Sequence, residues 1–235
     1  MDANEDHHLQ GNIMLQAANI IIADDHPLFR TALKSTLETH IPKSKILEAG
    51  DLVSLQSCVE SYKETNLILL DLHMPGAEGF SSIIFLSAHY PNIPVIIISA
   101  HEESDIIRRS IDHGASGFLP KSSSVEEIYQ AIDEVLNGGV WIPKNIADQP
   151  AMADDEMDAA DAISSLTPKQ FRVACMVSQG FLNKQIAFEL NVTESTVKAH
   201  MTEIFKKLGM HSRTQVVMIF SKLAINPVNS SADFN

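Results

Sequence analysis

Short apolar runs and longer amphipathic stretches alternate along the first 147 residues of the chain. The apolar runs predict five β-strands, at residues 19–23, 45–49, 67–71, 94–99 and 116–119. The stretches between them repeat with the period of a helix, at residues 27–40, 52–63, 79–89, 104–113 and 125–137. Strands that alternate with helices build a parallel sheet with both faces covered. The pattern therefore predicts a doubly wound α/β domain over residues 18–147.

The pattern changes after residue 163, where only helical periodicity remains. Thr167, Pro168 and Gln170 form a capping box with proline at the first helical position, so a helix is expected to begin there. Further helices are predicted at residues 183–190, 194–208 and 213–223. Two of them are joined by a tight turn, and the second carries exposed polar and basic residues. This arrangement is typical of a helix-turn-helix, and it predicts a small all-α domain over residues 164–225.

Three segments lie outside the two predicted domains. Residues 1–17 lack periodicity and are interpreted as a mobile N-terminal tail, and residues 226–235 as a C-terminal tail. Residues 148–163 carry six acidic residues and no basic residue. We interpret this segment as an acidic linker, for which a short helix is an alternative.

The net charge of −13 is distributed unevenly. From Ser164 onward, eight basic residues oppose four acidic ones, so the second domain is positive although the whole chain is acidic. Charge therefore permits the second domain to bind nucleic acid. The chain has neither an apolar run of about 18 residues, which a membrane span needs, nor a signal-peptide pattern at its start, and a cytoplasmic location is expected.

Acidic residues follow two of the predicted strands. Asp24 and Asp25 come directly after the first strand, and Asp71 closes the third. Open α/β sheets bind ligands beyond the carboxyl ends of their strands. If the two strands are neighbours, three carboxylates converge there and require a hard cation such as Mg²⁺. Such a site can direct a phosphoryl group onto one aspartate, for which we select Asp71.

Two further polar residues stand at strand ends. Ser99 closes the fourth strand and Lys121 follows the fifth. Lys121 is expected to pair with a phosphoryl group on Asp71, and Ser99 to hydrogen-bond one of its oxygens. A single acid at a strand end is usually only a helix cap. Acids, a hydroxyl and an ammonium at four strand ends form a more specific pattern.

These motifs resemble a known family. Four of them resemble the receiver domain of two-component response regulators, namely Asp24-Asp25, Asp71 within Leu-Asp-Leu-His-Met-Pro-Gly, Ser99-Ala100 and Gly117-Phe-Leu-Pro-Lys121. The stretch from Leu166 to Arg213 is similar to the LuxR-type helix-turn-helix. Together they resemble the NarL/FixJ class of response regulators over roughly residues 18–225. Gln170 departs from the glutamate that this family usually has, although glutamine can still close the capping box.

The resemblance implies a flavodoxin-like receiver fold and a role for each residue of the predicted site. It implies that Asp71 is the phosphoacceptor and that Asp25 binds Mg²⁺, with Asp24 close by. The backbone carbonyl of His73 is implied as a further metal ligand. Ser99 and Phe118 take the positions of the switch hydroxyl and the switch aromatic, although Phe118 could equally be an ordinary core residue.

The resemblance also predicts a DNA-contacting surface on the second domain. Lys198, Ala199 and Thr202 match positions that read base edges, and the other basic residues are expected to touch phosphates. The complete predicted set is Lys184, Thr193, Ser195, Thr196, Lys198, Ala199, Thr202, Lys206, Lys207 and Arg213. The last helix, with Gln215, Val216, Met218 and Ile219, is implied to pair two subunits on DNA. A solvated basic face is the simpler alternative.

The function predicted from these observations is transcription control by phosphorylation. A sensor histidine kinase would phosphorylate Asp71, and an active homodimer would bind promoter DNA, with RNA polymerase as a further possible partner. The protein is not expected to be an enzyme beyond promoting its own phosphorylation and dephosphorylation. Masking of the basic domain by the acidic one is a hypothesis for the resting state. A DNA-binding scaffold that ignores phosphorylation and a metal-dependent phosphatase are the alternatives.

The sequence also places two histidines beside the predicted pocket. His73 and His101 stand two residues beyond Asp71 and Ser99. Our hypothesis is that they tune dephosphorylation by controlling the access of water, whereas two solvent-exposed loop histidines are the more ordinary interpretation.

Overall fold

The computed structural model describes residues 17–41, 43–143 and 154–225. Its main sheet contains five parallel strands, namely β1 (Asn19–Ala23), β2 (Lys45–Ala49), β3 (Leu67–Leu70), β6 (Val95–Ser99) and β7 (Gly117–Pro120). Their order across the sheet is β2-β1-β3-β6-β7. The predicted doubly wound sheet is confirmed. Each predicted strand lies within one or two residues of its observed position, and β1 and β3 are neighbours, as the convergence of the acids requires.

Five helices cover the two faces of this sheet. They are α1 (Pro27–His40), α2 (Leu52–Ser61), α3 (Ser81–His89), α4 (Ser104–Asp112) and α5 (Val125–Leu136). Helices α1 and α5 bury their apolar sides on one face, and α2, α3 and α4 on the other. Local sequence fixes several helix starts. Ser124, for example, accepts a hydrogen bond from the Glu127 amide and begins α5 in a capping box.

The connection that follows β3 contains a hairpin that the pattern does not predict. Strands β4 (His73–Met74) and β5 (Ala77–Glu78) pair antiparallel, and Gly76 turns between them with a φ of 95°. Two residues are too few to show the alternation that marks a strand. At the far edge of the sheet, Trp141 forms a parallel bridge to Gly117, and its carbonyl accepts the Phe118 amide at 2.9 Å.

The rest of the described chain is helical. It comprises α6 (Asp154–Ser164), α7 (Pro168–Ser178), α8 (Asn183–Glu189), α9 (Glu194–Leu208) and α10 (Arg213–Lys222). The Thr167–Gln170 capping box begins α7, as predicted. Gly209 ends α9 in the left-handed conformation, with a φ of 64°. No helix among the described residues is both long and apolar enough to cross a membrane.

The acidic segment before α7 is packed rather than solvated over its described part. Helix α6 buries Glu156, Ala159 and Ile163, and its other acids face outward. The helix alternative therefore applies to Asp154–Ser164, which has one buried side, and the role of this segment as an acidic linker stays a prediction. The preceding linker residues 148–153, residues 1–16 of the N-terminal tail and residues 226–235 lie outside the described parts.

The sheet and the helical part share one hydrophobic core. Phe85 on α3 and Phe171 on α7 are both fully buried and stack with ring centroids 4.3 Å apart and an interplanar angle of 3°. Helix α6 packs against both α3 and α10. Arg172 on α7 donates to the buried Gln56 side chain of α2 at 2.8 Å. The two predicted domains are therefore docked against each other.

Candidate functional site

Three carboxylates meet at the carboxyl edge of the sheet, as the sequence predicts. Strands β1 and β3 pair so that Ala23 lies beside Leu70, which places Asp24 and Asp71 next to each other. The Asp71 amide donates to the Ala23 carbonyl at 2.8 Å and fixes this placement. Asp24 and Asp71 are 2% and 3% exposed, whereas Asp25 is half-buried. Two of the acids are therefore held close together in a nearly dry site.

Lys121 supplies the cation that this acidic site requires. Its Nζ lies 2.6 Å from Asp24 Oδ2 and 2.8 Å from Asp71 Oδ2. Burial acts to lower the pKa of Lys121, but hydrogen bonds and charges from the two aspartates outweigh it and raise the pKa. The Lys121 amide donates to the Ser99 carbonyl at 2.7 Å, which ties the ends of β6 and β7 together. The predicted lysine therefore forms ion pairs with two of the predicted acids, Asp24 and Asp71.

His26 is a residue of this site that the sequence reasoning missed. Its Nδ1 lies 2.6 Å from Asp25 Oδ1 and 3.1 Å from Asp24 Oδ1, while its side chain is 64% exposed. Its position directly after the two acids was the available signal. A ring nitrogen of His26 adds a candidate ligand atom at the open side of the site.

The donor set fits a hard cation. Ligand atoms of Asp24, Asp25, His26 and Asp71 all lie within 4.8 Å of one another. Oδ1 of Asp25 is buried without a hydrogen bond of good geometry, and a metal ion there would replace its contact with His26 Nδ1. Carboxylate oxygens are the ligands that Mg²⁺ prefers. Receiver domains bind Mg²⁺ at an acidic pocket of this kind.

The remaining predicted residues of this site surround the acids. Ser99 and Phe118 are fully buried, and the Ser99 hydroxyl accepts the His101 amide at 3.1 Å. The His73 amide donates to Asp71 Oδ1 at 3.2 Å. The rings of His73 and His101 stack 4.9 Å apart, so the two connections that follow β3 and β6 touch over the pocket.

Helix α9 has a buried side and an exposed polar side. Val197, Met201 and Ile204 are buried, and Leu208, predicted on the same stripe, is half-buried. A cleft of about 600 Å³ runs between α8 and α9, and Lys184, Lys198, Thr202 and Arg213 are among its lining residues. Five residues of the predicted DNA-contacting set are exposed, namely Lys184, Lys198, Ala199, Thr202 and Lys206. The Thr202 hydroxyl donates to the Lys198 carbonyl at 3.1 Å within the helix.

Other members of that set have structural roles. The Thr193 hydroxyl accepts the Thr196 amide at 3.2 Å and caps α9, and it also lies 2.7 Å from the Ser195 hydroxyl. Lys207 Nζ donates to the Ser165 carbonyl at 2.8 Å. The half-buried Arg213 donates to the Phe181 carbonyl, and burial lowers its pKa. These side chains position the helices of the basic domain.

Helix α10 offers a smaller exposed surface than the sequence suggests. Gln215 and Met218 are exposed, whereas Val216 and Ile219 are buried and cannot face a second subunit. Lys184, Lys198 and Lys206 are exposed, and masking of this basic surface in the resting state stays a hypothesis. Within residues 17–41, 43–143 and 154–225, no ion pair joins Lys184, Lys198 or Lys206 to an acid of the sheet domain.

Both halves of the chain match known protein families. Residues 20–133 match the response regulator receiver domain, and residues 164–220 match the bacterial regulatory proteins of the luxR family. The chain is 38% identical over 205 residues to the glycerol metabolism activator of Pseudomonas putida, with 85% of this chain and 93% of that protein covered. It is 32% identical over 203 residues to the nitrate/nitrite response regulator protein NarP of Escherichia coli (strain K12), covering 86% of this chain and 93% of that one.

A solved structure with a similar fold is RcsB from Salmonella enterica serovar Typhimurium, bound to a promoter in the presence of the phosphomimetic BeF3⁻. The TM-score is 0.52 at 23% sequence identity, over 88% of this chain and 99% of that chain. This likeness concerns the fold.

Proposed function

The chain belongs to the response regulators that join a receiver domain to a LuxR-type DNA-binding domain, and from this premise we propose that phosphorylation of Asp71 controls its binding to promoter DNA. The observation that carries the proposal is the position of Asp71, which is buried beside Asp24 and within 2.8 Å of Lys121. The family consists of DNA-binding transcription regulators rather than enzymes in the usual sense.

The chemistry of the transfer follows from the residues around Asp71. A carboxylate oxygen of Asp71 attacks the phosphorus of a donor, an O–P bond forms, and the bond from phosphorus to the donor's imidazole nitrogen breaks. Asp24 and Asp25 would hold Mg²⁺, which offsets negative charge on the phosphoryl oxygens. Lys121 is close enough to exchange its contact with Asp71 for one with the phosphoryl group. The buried Ser99 hydroxyl can then donate to a phosphoryl oxygen.

The partners follow from the same chemistry. A phosphohistidine donor points to a sensor histidine kinase, and the exposed lysines and Thr202 along α8 and α9 fit double-stranded DNA. We expect a homodimer on DNA, in keeping with the RcsB dimers whose complex with two parallel DNAs has been solved. The exposed Met218 and Gln215 of α10 are the available surface for pairing. RNA polymerase as a partner, and a cytoplasmic location, stay predictions from the sequence.

The proposal is tested by replacing Asp71. Wild type, Asp71→Asn and the exposed control Asp105→Asn are treated with Mg²⁺ and acetyl phosphate, and binding is measured to DNA selected by the treated wild type from a random pool. We expect treatment to tighten binding by about tenfold or more in wild type and in the control, and not in Asp71→Asn.

The opposite outcome is equally clear. If all three proteins bind equally with and without acetyl phosphate, the chain is a DNA-binding scaffold that ignores phosphorylation, and the proposal is wrong.

A further inference from the structure

His26 places a ring nitrogen among the carboxylate oxygens of the acidic site. Its Nδ1 lies 2.6 Å from Asp25 Oδ1, 3.1 Å from Asp24 Oδ1 and 4.0 Å from Asp71 Oδ2. Donor atoms about 2.1 Å from one metal ion are about 3 Å apart when they lie at right angles, and about 4.2 Å apart when they lie on opposite sides of it. The distances from Nδ1 to the three oxygens are therefore those of ligands around a single ion.

The backbone that carries this ring is fixed by local hydrogen bonds. His26 is the N-cap residue of α1, and Pro27 takes the first helical position. The His26 amide donates to Asp24 Oδ1 at 2.7 Å, and the His26 carbonyl accepts the Arg30 amide at 3.1 Å. The Arg30 side chain also donates to the Asp24 carbonyl at 2.5 Å. The position of the ring beside the acids therefore follows from the start of α1 and does not depend on a free loop.

Lys121 and His26 contact different oxygens of the acids. Lys121 Nζ contacts Oδ2 of Asp24 and Oδ2 of Asp71, whereas His26 Nδ1 faces Oδ1 of Asp24 and Oδ1 of Asp25. Oδ1 of Asp25 is buried without a hydrogen bond of good geometry. An ion held by Nδ1 and the two Oδ1 atoms would therefore leave both contacts of Lys121 in place.

The chemistry of an imidazole nitrogen decides which ions it attracts. A neutral imidazole that carries its proton on Nε2 binds a metal through Nδ1. Nitrogen donors suit Zn²⁺, Co²⁺ and Ni²⁺, whereas Mg²⁺ prefers oxygen donors and keeps several of its waters. The His26 side chain is 64% exposed, so an ion from solvent can reach the ring and the acids together.

We propose that His26 makes the acidic site a binding site for transition-metal ions such as Zn²⁺, held by His26, Asp25 and Asp24. His26 is then the residue that sets the choice of metal, because it raises the affinity for these ions relative to the affinity for Mg²⁺. Zn²⁺ and Mg²⁺ would compete, since both use the same two carboxylates. This inference goes beyond the proposed function, which requires only Mg²⁺ on the acids.

The test compares the affinities of the full-length protein for the two kinds of ion. His26→Asn keeps a residue that can cap a helix but replaces the nitrogen donor with an amide oxygen. Calorimetric titration with Zn²⁺ and with Mg²⁺ is carried out on the wild-type site, on His26→Asn and on the control His211→Asn, which is exposed and remote from the acids. All three proteins also carry His7→Ala and His8→Ala, because neighbouring histidines bind the same ions.

The ratio of the two affinities is the decisive quantity. We expect the affinity for Zn²⁺ relative to Mg²⁺ to fall at least about tenfold in His26→Asn, and to keep the wild-type value in His211→Asn. If His26 served only to cap α1, its replacement would change both affinities by the same factor and leave the ratio as it was. An unchanged ratio would therefore overturn the inference.

Co²⁺ gives a second readout, because the position of its visible absorption bands depends on whether nitrogen or oxygen binds it. The bands should shift in His26→Asn, and Asp25→Asn should lose them. Bands that survive unchanged in Asp25→Asn would place the ion elsewhere and contradict the proposal. These measurements use no phosphoryl donor, so their failure would leave the role of Asp71 untouched. Absence of Mg²⁺ binding to the wild-type site would instead count against the proposed function.

Discussion

Lys121 shows how one residue can balance two buried charges. Its ammonium lies within 2.8 Å of both Asp24 and Asp71, which are almost without solvent exposure. A buried carboxylate that loses its partner keeps its desolvation penalty and gains nothing in return. The lysine therefore stabilises the fold as well as serving the proposed chemistry.

This balance predicts a metal-dependent loss of stability. Lys121→Met should lower the free energy of unfolding by about 3 kcal/mol in EDTA, because two buried carboxylates then face each other. Millimolar Mg²⁺ should restore part of that loss, and urea unfolding with and without the metal measures both. Lys63→Met at an exposed position is the control. Equal stability of Lys121→Met and this control would show that Lys121 does not hold the acids.

At the scale of elements, the periods in the sequence predict most of the fold. Strand β3 is predicted well because it is a continuous apolar run followed by turn residues, and helix α9 because its apolar residues follow the helical period up to Gly209. Hairpin β4–β5 is too short to show a period, and the apolar side of α6 is concealed by its acids. The three acids and Lys121 are predictable because strand ends of a parallel sheet meet at one edge. The place of His26 in the site was not predicted, because a lone histidine after two acids has no fixed position in such a sheet.

Two exposed lysines of α9 predict different effects on DNA binding. Lys198→Ala, near the start of the helix, should reduce binding to the selected site about tenfold and change its sequence preference. Lys206→Ala, two turns later, should weaken binding to all sequences similarly and reduce the slope of log affinity against log salt by about one. Filter binding at several salt concentrations, with selected and scrambled DNA, distinguishes the effects of these two substitutions. Identical profiles for both variants would show that α9 does not read bases from Lys198.

At the scale of the whole molecule, docking buries groups that each domain would expose alone. Phe171 is fully buried against Phe85 of the receiver, and Glu156 is buried against Arg109 and His113. No period or motif in the sequence predicts this contact, because each half contains a plausible core of its own. Which surfaces of the two domains meet is therefore decided by tertiary packing.

Glu156 predicts how this docking depends on pH. Its folded pKa lies below the ordinary 4.5, so its contribution to stability is present above that value and is lost as the pH falls through the lowered pKa. Glu156→Gln should cost about 2 kcal/mol at neutral pH, and its difference from wild type should vanish at acid pH. Urea unfolding across the acid range measures this difference.

Asp158→Asn provides the control, since Asp158 is exposed on the same helix α6. Should Glu156→Gln and Asp158→Asn show the same small change at every pH, the charge on Glu156 would have no part in holding the domains together.

The bridge between Trp141 and strand β7 has a practical consequence. Trp141 is the only tryptophan in the chain, and its carbonyl is bonded to the amide of Phe118, the residue at the switch position. Indole emission shifts with the polarity around the ring, so the protein carries a native optical probe attached to that strand. The rate at which β7 rearranges on addition of beryllofluoride can therefore be measured by stopped-flow fluorescence in the unlabelled protein.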